Sequence, residues 1–212
     1  MNTEKIRPDL WQYLESDLLP RYDHFDVAHG RDHALAVAER SMALAVHYEV
    51  NPEMVLTVAY YHDLGLCEGR AHHHEVSARM LLADERLAAW FSAEEIQLMA
   101  EAVADHRASA AEAPRSIYGC IVAEADRLID PELTLRRTLQ YGLAHYPHLE
   151  REQHYERFLA HLLEKYAEGG YLRLWLPQSA NAAPLAALRR LIADREALRR
   201  RFDALYEAEL ER

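Results

Sequence analysis

The dipeptide His62-Asp63 has the clearest chemical consequence in this sequence, because it follows an apolar run over residues 54–61. Read as a helix, this run is apolar nearly all round, which is typical of a buried helix. Burying an ionised carboxylate costs several kcal/mol unless a cation or hydrogen-bond donors compensate it. The two lysines of the chain, Lys5 and Lys165, lie far away in the sequence. A metal ion bound by Asp63 and His62 is therefore the partner that we expect.

Four further polar residues lie on otherwise apolar faces of predicted helices: His33, His73, His106 and Asp126. Because polar groups that point into a core need partners, we expect these side chains to meet one another or a shared ion. Imidazoles and carboxylates suit borderline metals such as iron or manganese. Together with the dipeptide, these ligands would be enough for two ions, with positions left for water.

Each of these residues also has a plainer interpretation. His33 could be a hydrogen-bonded core histidine, and His73 belongs to a histidine triplet that is typical of a solvated helix start. His106 could cap the end of its helix, where the dipole favours a cation. Asp126 could pair with the neighbouring Arg127 or with another arginine. A second buried acid nevertheless favours the metal interpretation, because each buried carboxylate needs compensation.

The elements that position these residues are all expected to be helices. Glycine (7) and proline (8) are scarce, whereas Ala, Leu, Glu and Arg, which are tolerated well in helices, abound. No alternating pattern typical of strands is present. The predicted helices cover residues 9–19, 31–48, 92–106, 115–129, 150–167 and 184–210. Three more are expected: one that follows Pro52 and ends near Gly65, one that begins around His72 and one that begins at Asp130. The sequence therefore predicts an all-α fold.

Charge and composition narrow the expected partners. The formal net charge of −11 argues against broad attraction to nucleic acid or to an anionic membrane, so an anionic small molecule would have to be captured locally. No apolar stretch approaches the length of a membrane span. The two cysteines, Cys67 and Cys120, form no framework pattern, which is typical of a reducing compartment, and we expect a cytoplasmic protein. The arginine-rich last helix favours a solvated or interface-facing role, with phosphate binding as the alternative, and a homodimer stays open.

The pattern His … His-Asp … Asp resembles the signature of the HD-domain metal-dependent phosphohydrolases. It occurs here as His33 in HGRDHALAVAER, His62-Asp63 in VAYYHDLGL and Asp126 in IVAEADRLID. The resemblance implies that these four residues hold a first divalent metal ion. It also implies a single HD-type domain over residues 1–212, with a metal-binding core at about 20–130 and a C-terminal helical extension over 131–212.

Some members of this superfamily carry two additional histidines for a second metal ion. Residues 73–78 resemble the pattern His-x-x-x-Gly-Ala, with serine in place of glycine, and residues 102–106 resemble Ala-Ile-x-x-His. The resemblance therefore implies that His73 and His106 complete a second site, to which Asp63 bridges. His74 is an alternative register for His73.

The activity implied by the resemblance is hydrolysis of a phosphate ester or anhydride, with a nucleotide as the expected substrate. One or two divalent ions (Mn, Fe, Mg, Co, Ni or Zn) would lower the pKa of a bound water and clamp the attacking and leaving oxygens. The candidates for neutralising phosphate charge are Arg70, Arg107 and Arg127. Asp63 would act as the bridge between the two ions. The candidates for relaying protons are Glu75 and Asp105.

Two other functions stay open. Some members of the superfamily use the same ligand set for a di-iron oxygenase, and a helical metal- or ligand-binding sensor module needs no turnover. Many members also place a lysine just after the His-Asp dipeptide. Here residues 64–67 read Leu-Gly-Leu-Cys, and Arg70 is the nearest cation.

Overall fold

The computed structural model of the chain describes residues 6–26, 29–107 and 112–210, and within these ranges every regular element is a helix. The predicted all-α fold is therefore confirmed. The chain divides into two compact units, Met1–Arg127 with Trp175–Ser179 and Leu128–Leu174 with Ala180–Arg212. A single domain over the whole chain stays a prediction.

The described part of the first unit contains α1 (Pro8–Tyr13), α2 (Arg31–Ala45), α3 (Pro52–Tyr61), α4 (His73–Leu82), α5 (Ala93–Ala104) and α6 (Ile117–Asp126). Single turns of other helix types cover Leu14–Leu18, Leu19–His24, Leu64–Glu68 and Glu85–Ala89. The helical path continues through Pro20, beyond the predicted helix end at residue 19. Pro20 is tolerated because it lies in the first turn of a 3₁₀ segment, where its missing N–H has no helical partner.

Helix α3 forms the centre of the core of this unit. All its residues from Glu53 to Tyr61 are buried, and α2, α5 and α6 pack against it. Asn51 caps its start by accepting a hydrogen bond from the backbone N–H of Glu53 at 3.0 Å. The helix ends at Tyr61, four residues before the predicted end, and His62-Asp63 lies in the turn that follows.

The next 3₁₀ turn, Leu64–Glu68, packs tightly against α4. The backbone N–H of Gly65 donates to the Ser77 hydroxyl at 2.8 Å. A Cβ at Gly65 would lie 2.1 Å from the His73 carbonyl oxygen and 2.6 Å from the Ser77 nitrogen, so this approach requires glycine. The contact fixes the start of α4, and with it His73, next to Asp63.

The described part of the second unit contains α7 (Pro131–His145), α8 (Arg151–Lys165), α9 (Ala182–Ala193) and α10 (Arg195–Leu210) around its own apolar core. The single helix predicted over 184–210 is interrupted at Asp194, whose carboxylate accepts a hydrogen bond from the Ala197 N–H. On α10, Arg199 pairs with Glu152 and Arg201 with Glu132, so the arginines of this helix serve surface ion pairs.

None of the helices in the described ranges is both long enough and apolar enough to cross a membrane.

Candidate metal centre

The centre is built at the ends of helices rather than along them. Asp63 follows α3 with backbone angles of φ −110° and ψ 3°, outside the helical region, and His62 immediately precedes it. Asp126 is the last residue of α6, and His106 lies two residues after α5. The six side chains therefore come from the first or last turn of a helix or from the residues just after it.

The two carboxylate oxygens of Asp63 face two different pairs of histidines. On one side, Oδ2 lies 3.3 Å from Nε2 of His62 and 3.6 Å from Nε2 of His33. On the other side, Oδ1 lies 3.4 Å from Nε2 of His73 and 3.5 Å from Nε2 of His106. A single carboxylate therefore joins two clusters of potential ligands, each with its ligand atoms within 4.8 Å of one another.

Asp126 completes the cluster on the Oδ2 side. Its Oδ1 lies 3.1 Å from Nε2 of His33 and 3.8 Å from Nε2 of His62. The Arg40 Nε on α2 donates to the Ala125 carbonyl at 2.6 Å, which ties the end of α6 to the helix that carries His33. The structure thus brings all six residues predicted as metal ligands to one place.

Three of the histidines are oriented in the same way. Nδ1 of His62, His73 and His106 each donates to the backbone carbonyl three residues earlier, at 2.7, 2.9 and 2.6 Å. A carbonyl can only accept, so Nδ1 carries the proton and Nε2 keeps its lone pair when the ring is neutral. This second hydrogen bond is the one that metal-ligating histidines typically make.

Electrostatics keep the carboxylates ionised. Burial alone would raise the pKa of Asp63, but the charge of His62 and hydrogen bonds from the surrounding rings hold that pKa well below its ordinary value. Burial likewise opposes ionisation of Asp126, and its hydrogen bond with His33 lowers its pKa to about 2. In turn, burial disfavours a charged His33, yet the hydrogen bonds with Asp126 and Asp63 raise its pKa to about 9.

This donor set fits divalent metal ions. It supplies imidazole nitrogens, which bind a metal once their Nε2 protons are lost, and ionised carboxylate oxygens, the ligands that iron, manganese and zinc share. Ligand atoms around a tetrahedral ion with bonds of about 2.0–2.1 Å lie roughly 3.3–3.4 Å apart, close to the spacings seen here. The His33, His62 and Asp63 side chains could hold one ion, with Asp126 beside His33, and the Asp63, His73 and His106 side chains could hold another.

The histidine register at α4 follows from the same contacts. His73 directs Nε2 at Asp63, whereas Nε2 of His74 lies 3.8 Å from Glu75 instead. His73 is therefore the residue that geometry favours as a ligand, and His74 the alternative.

Two of the predicted phosphate-binding arginines lie beside His73. Arg70 is exposed, and its Nη2 lies 3.3 Å from Nε2 of His29. The Arg107 Nη1 donates to the Ala71 carbonyl at 3.0 Å. The Arg107 guanidinium thus borders the short segment that precedes His73, whereas the Arg70 guanidinium contacts His29, whose ring lies 5.9 Å from that of His33.

The third arginine has a different environment. Arg127 is buried, and its Nη1 lies 3.6 Å from the Glu124 carboxylate. A guanidinium with only 5% of its side chain exposed and an acid beside it does not face an incoming phosphate. Its predicted role in neutralising phosphate charge is therefore one that the geometry does not favour.

The two proton-relay candidates also have other partners. Glu75 is exposed and lies 3.6 Å from His72. Asp105 accepts hydrogen bonds from the backbone N–H and guanidinium of Arg115 at 2.8–3.1 Å. Both roles stay predictions, and Asp105 is more simply a clamp on Arg115.

Sequence reasoning missed the residues that orient the ligands. Tyr22, Arg40 and Ser77 each bond to backbone next to a ligand or to the turn after it. Tyr22 continues an apolar stripe with Leu18 and Leu19, so the pattern indicates a core residue and carries no signal of its hydrogen bonds.

Comparisons with known proteins indicate a family and a fold for this part of the chain. The family model of the HD domain matches residues 30–129. The crystal structure of a predicted HD superfamily hydrolase from an uncultured Thermotogales bacterium is similar over 99% of both chains, with a TM-score of 0.55 and 19% sequence identity, which shows a shared fold. No curated protein matches the chain. Residues 30–129, which include all six candidate ligands, form an HD domain.

Proposed function

We propose that this chain is a metal-dependent phosphohydrolase that cleaves a phosphate ester or anhydride, with a nucleotide as the expected substrate. The observation that carries the proposal is the division of Asp63 between two ligand clusters. A carboxylate shared in this way suits a pair of ions close enough to act on the same phosphate. The HD domain over residues 30–129 supports the same class of chemistry.

The residues of the chain have distinct tasks in this proposal. His33, His62, Asp63 and Asp126 would hold one ion, and Asp63, His73 and His106 the other. When bound, such ions supply an activated water and stabilise charge on the phosphate oxygens. Arg70 and Arg107, beside His73, would bind non-bridging phosphate oxygens and orient the substrate. The carbonyls that accept from the Nδ1 atoms hold each ring in its ligating tautomer.

The test is a panel of phosphate compounds offered to protein loaded with Mn²⁺, Co²⁺ or Ni²⁺. The panel contains nucleoside mono-, di- and triphosphates, a nitrophenyl phosphomonoester and a nitrophenyl phosphodiester. We expect release of phosphate or nitrophenol from at least one compound, and loss of that activity to the buffer level in Asp63→Asn. His74→Ala, which alters a neighbouring histidine that the geometry does not aim at the centre, should keep the activity.

Two other results would contradict the proposal. Two bound irons with oxygen consumption, and no phosphate release, would favour the oxygenase. A lack of turnover on every compound, with metal binding retained, would favour a sensor module. The cytoplasmic location and the homodimer expected from the sequence also stay predictions, to be checked by fractionation and by light scattering.

A further inference from the structure

The backbone where α3 ends presents polar groups that need partners inside the core. Helix termini leave carbonyl and N–H groups without helical partners. The Ala59 carbonyl is taken by Nδ1 of His62. The carbonyl of Tyr60 and the N–H of Asp63 lie at the same buried turn, and leaving either group unpaired would cost stability.

The hydroxyl of Tyr22 contacts both groups. It donates to the Tyr60 carbonyl at 3.0 Å and accepts from the Asp63 N–H at 3.4 Å. One phenol offers one donor and two acceptor positions, so both bonds form together. Tyr22 is fully buried, and it reaches this turn from a segment 41 residues earlier in the chain.

The ring of Tyr22 also lies against a ligand. Its centroid is 6.4 Å from that of the His62 imidazole, with 30° between the two planes. Phe25 packs edge-on against the other part of the ring, at 5.5 Å. The hydroxyl is therefore held in one place, and it bonds to the backbone on both sides of His62, at the Tyr60 carbonyl and at the Asp63 N–H.

We propose that Tyr22 is a positioning residue of the metal centre, whose hydroxyl fixes the turn at His62-Asp63 so that both oxygens of Asp63 meet their histidine pairs. This inference rests on the proposed metal centre. Residues that bond to a ligand rather than to the ion commonly matter for binding: their substitution lowers metal affinity by roughly 10- to 100-fold.

The direct test is Tyr22→Phe, which keeps the ring and removes only the oxygen. We expect Mn²⁺ affinity, measured by calorimetry on the full chain, to fall by roughly 10- to 100-fold. Tyr60→Phe is the matched control, because Tyr60 is also fully buried but its hydroxyl bonds to Glu15, away from the centre. Its Mn²⁺ affinity should stay within about threefold of that of the wild type.

A measurement on the wild-type protein avoids any folding defect of the variant. The amide hydrogen of Asp63 should exchange with solvent as slowly as the amides inside α3, because Tyr22 accepts its hydrogen bond. Fast exchange at Asp63 would overturn the proposal.

The remaining outcomes separate this inference from the proposed function. Unchanged Mn²⁺ binding in Tyr22→Phe, while Asp63→Asn abolishes binding, would overturn the role of Tyr22 and leave the metal centre standing. Equal losses in Tyr22→Phe and Tyr60→Phe would overturn it as well, since they would report a general loosening of the core. Unchanged binding in Asp63→Asn would overturn the centre itself.

Discussion

The Nε2 atoms of His73 and His106 lie 3.2 Å apart, although both rings have already used their Nδ1 protons on backbone carbonyls. Two neutral rings held in this way would point lone pairs at each other, which is unfavourable. A shared proton or a cation placed between them and Asp63 removes the repulsion. This pair is therefore pre-organised to bind a positive charge.

The first prediction concerns the number of bound ions. Removing the imidazole in His106→Ala leaves only His73 and one oxygen of Asp63 on that side, so we expect the protein to bind one Mn²⁺ where the wild type binds two. Elemental analysis after dialysis measures the ratio. His74→Ala should keep two ions; loss of the second ion in His74→Ala with retention in His73→Ala would show that His74 is the ligand.

The second prediction concerns the packing that fixes His73. Ser77→Ala removes the acceptor for the buried Gly65 N–H, and we expect a loss of about 1–3 kcal/mol in the free energy of unfolding. Gly65→Ala should cost more, because its Cβ would collide with the His73 carbonyl, a backbone atom that cannot rotate away. Denaturant unfolding with metal analysis measures both effects. A Gly65→Ala protein as stable as the wild type would refute the required close approach.

The third prediction distinguishes a clamp from a proton relay at Asp105. If Asp105 serves only to hold Arg115, then Asp105→Asn and Arg115→Ala should each cost about 1 kcal/mol of stability, with no additive loss in the double variant. The pH dependence of kcat should stay as in the wild type. A pH profile of kcat that shifts in Asp105→Asn but not in Arg115→Ala would instead support the proton-relay role of Asp105.

The fourth prediction concerns acid stability of the second unit. His154 on α8 is buried, and its Nδ1 has no hydrogen-bond partner among the residues that the structure describes. Burial, then the positive charges of Arg157 and His148, lower its pKa below the ordinary value of 6.5. Between those two pKa values the unfolded chain binds the proton and the folded chain does not, so stability falls as the pH drops through 6.5.

Unfolding at pH 7.5 and pH 5.5 measures this dependence. The loss on acidification should be smaller in His154→Gln than in the wild type, because the titrating group has been removed. His145→Gln, on the exposed side of α7, is the control and should behave as the wild type does. An identical acid response in His154→Gln would exclude His154 as the source.

Local patterns in the sequence were sufficient to single out the candidate ligands that the structure brings together. His33, His73 and Asp126 each interrupt an apolar helical face, and the His62-Asp63 dipeptide follows a run that is apolar all round. Such patterns are readable because they depend on neighbours within one or two helical turns. The same locality explains why the all-α fold and the start of the helix predicted from residue 92 were predicted correctly.

Helix ends and charge partners were predicted less well. The ends of α3 at Tyr61 and α6 at Asp126 come several residues before the predicted ones. Arg127 lies beside Glu124, and Asp105 lies beside Arg115. Helix ends and ion-pair partners depend on which donors and acceptors the tertiary fold brings together. A local helical pattern carries no information on those contacts.

The amino-acid sequence by itself determined that this chain is helical and that it carries two acids and four histidines on faces that must be buried. Only the tertiary structure decided that Asp63 gives one oxygen to each histidine pair and that the hydroxyl of Tyr22 holds the turn at its backbone. The physical reason is distance along the chain. Burial follows from local periodicity, whereas the direction of a carboxylate depends on hydrogen bonds with residues tens of positions away.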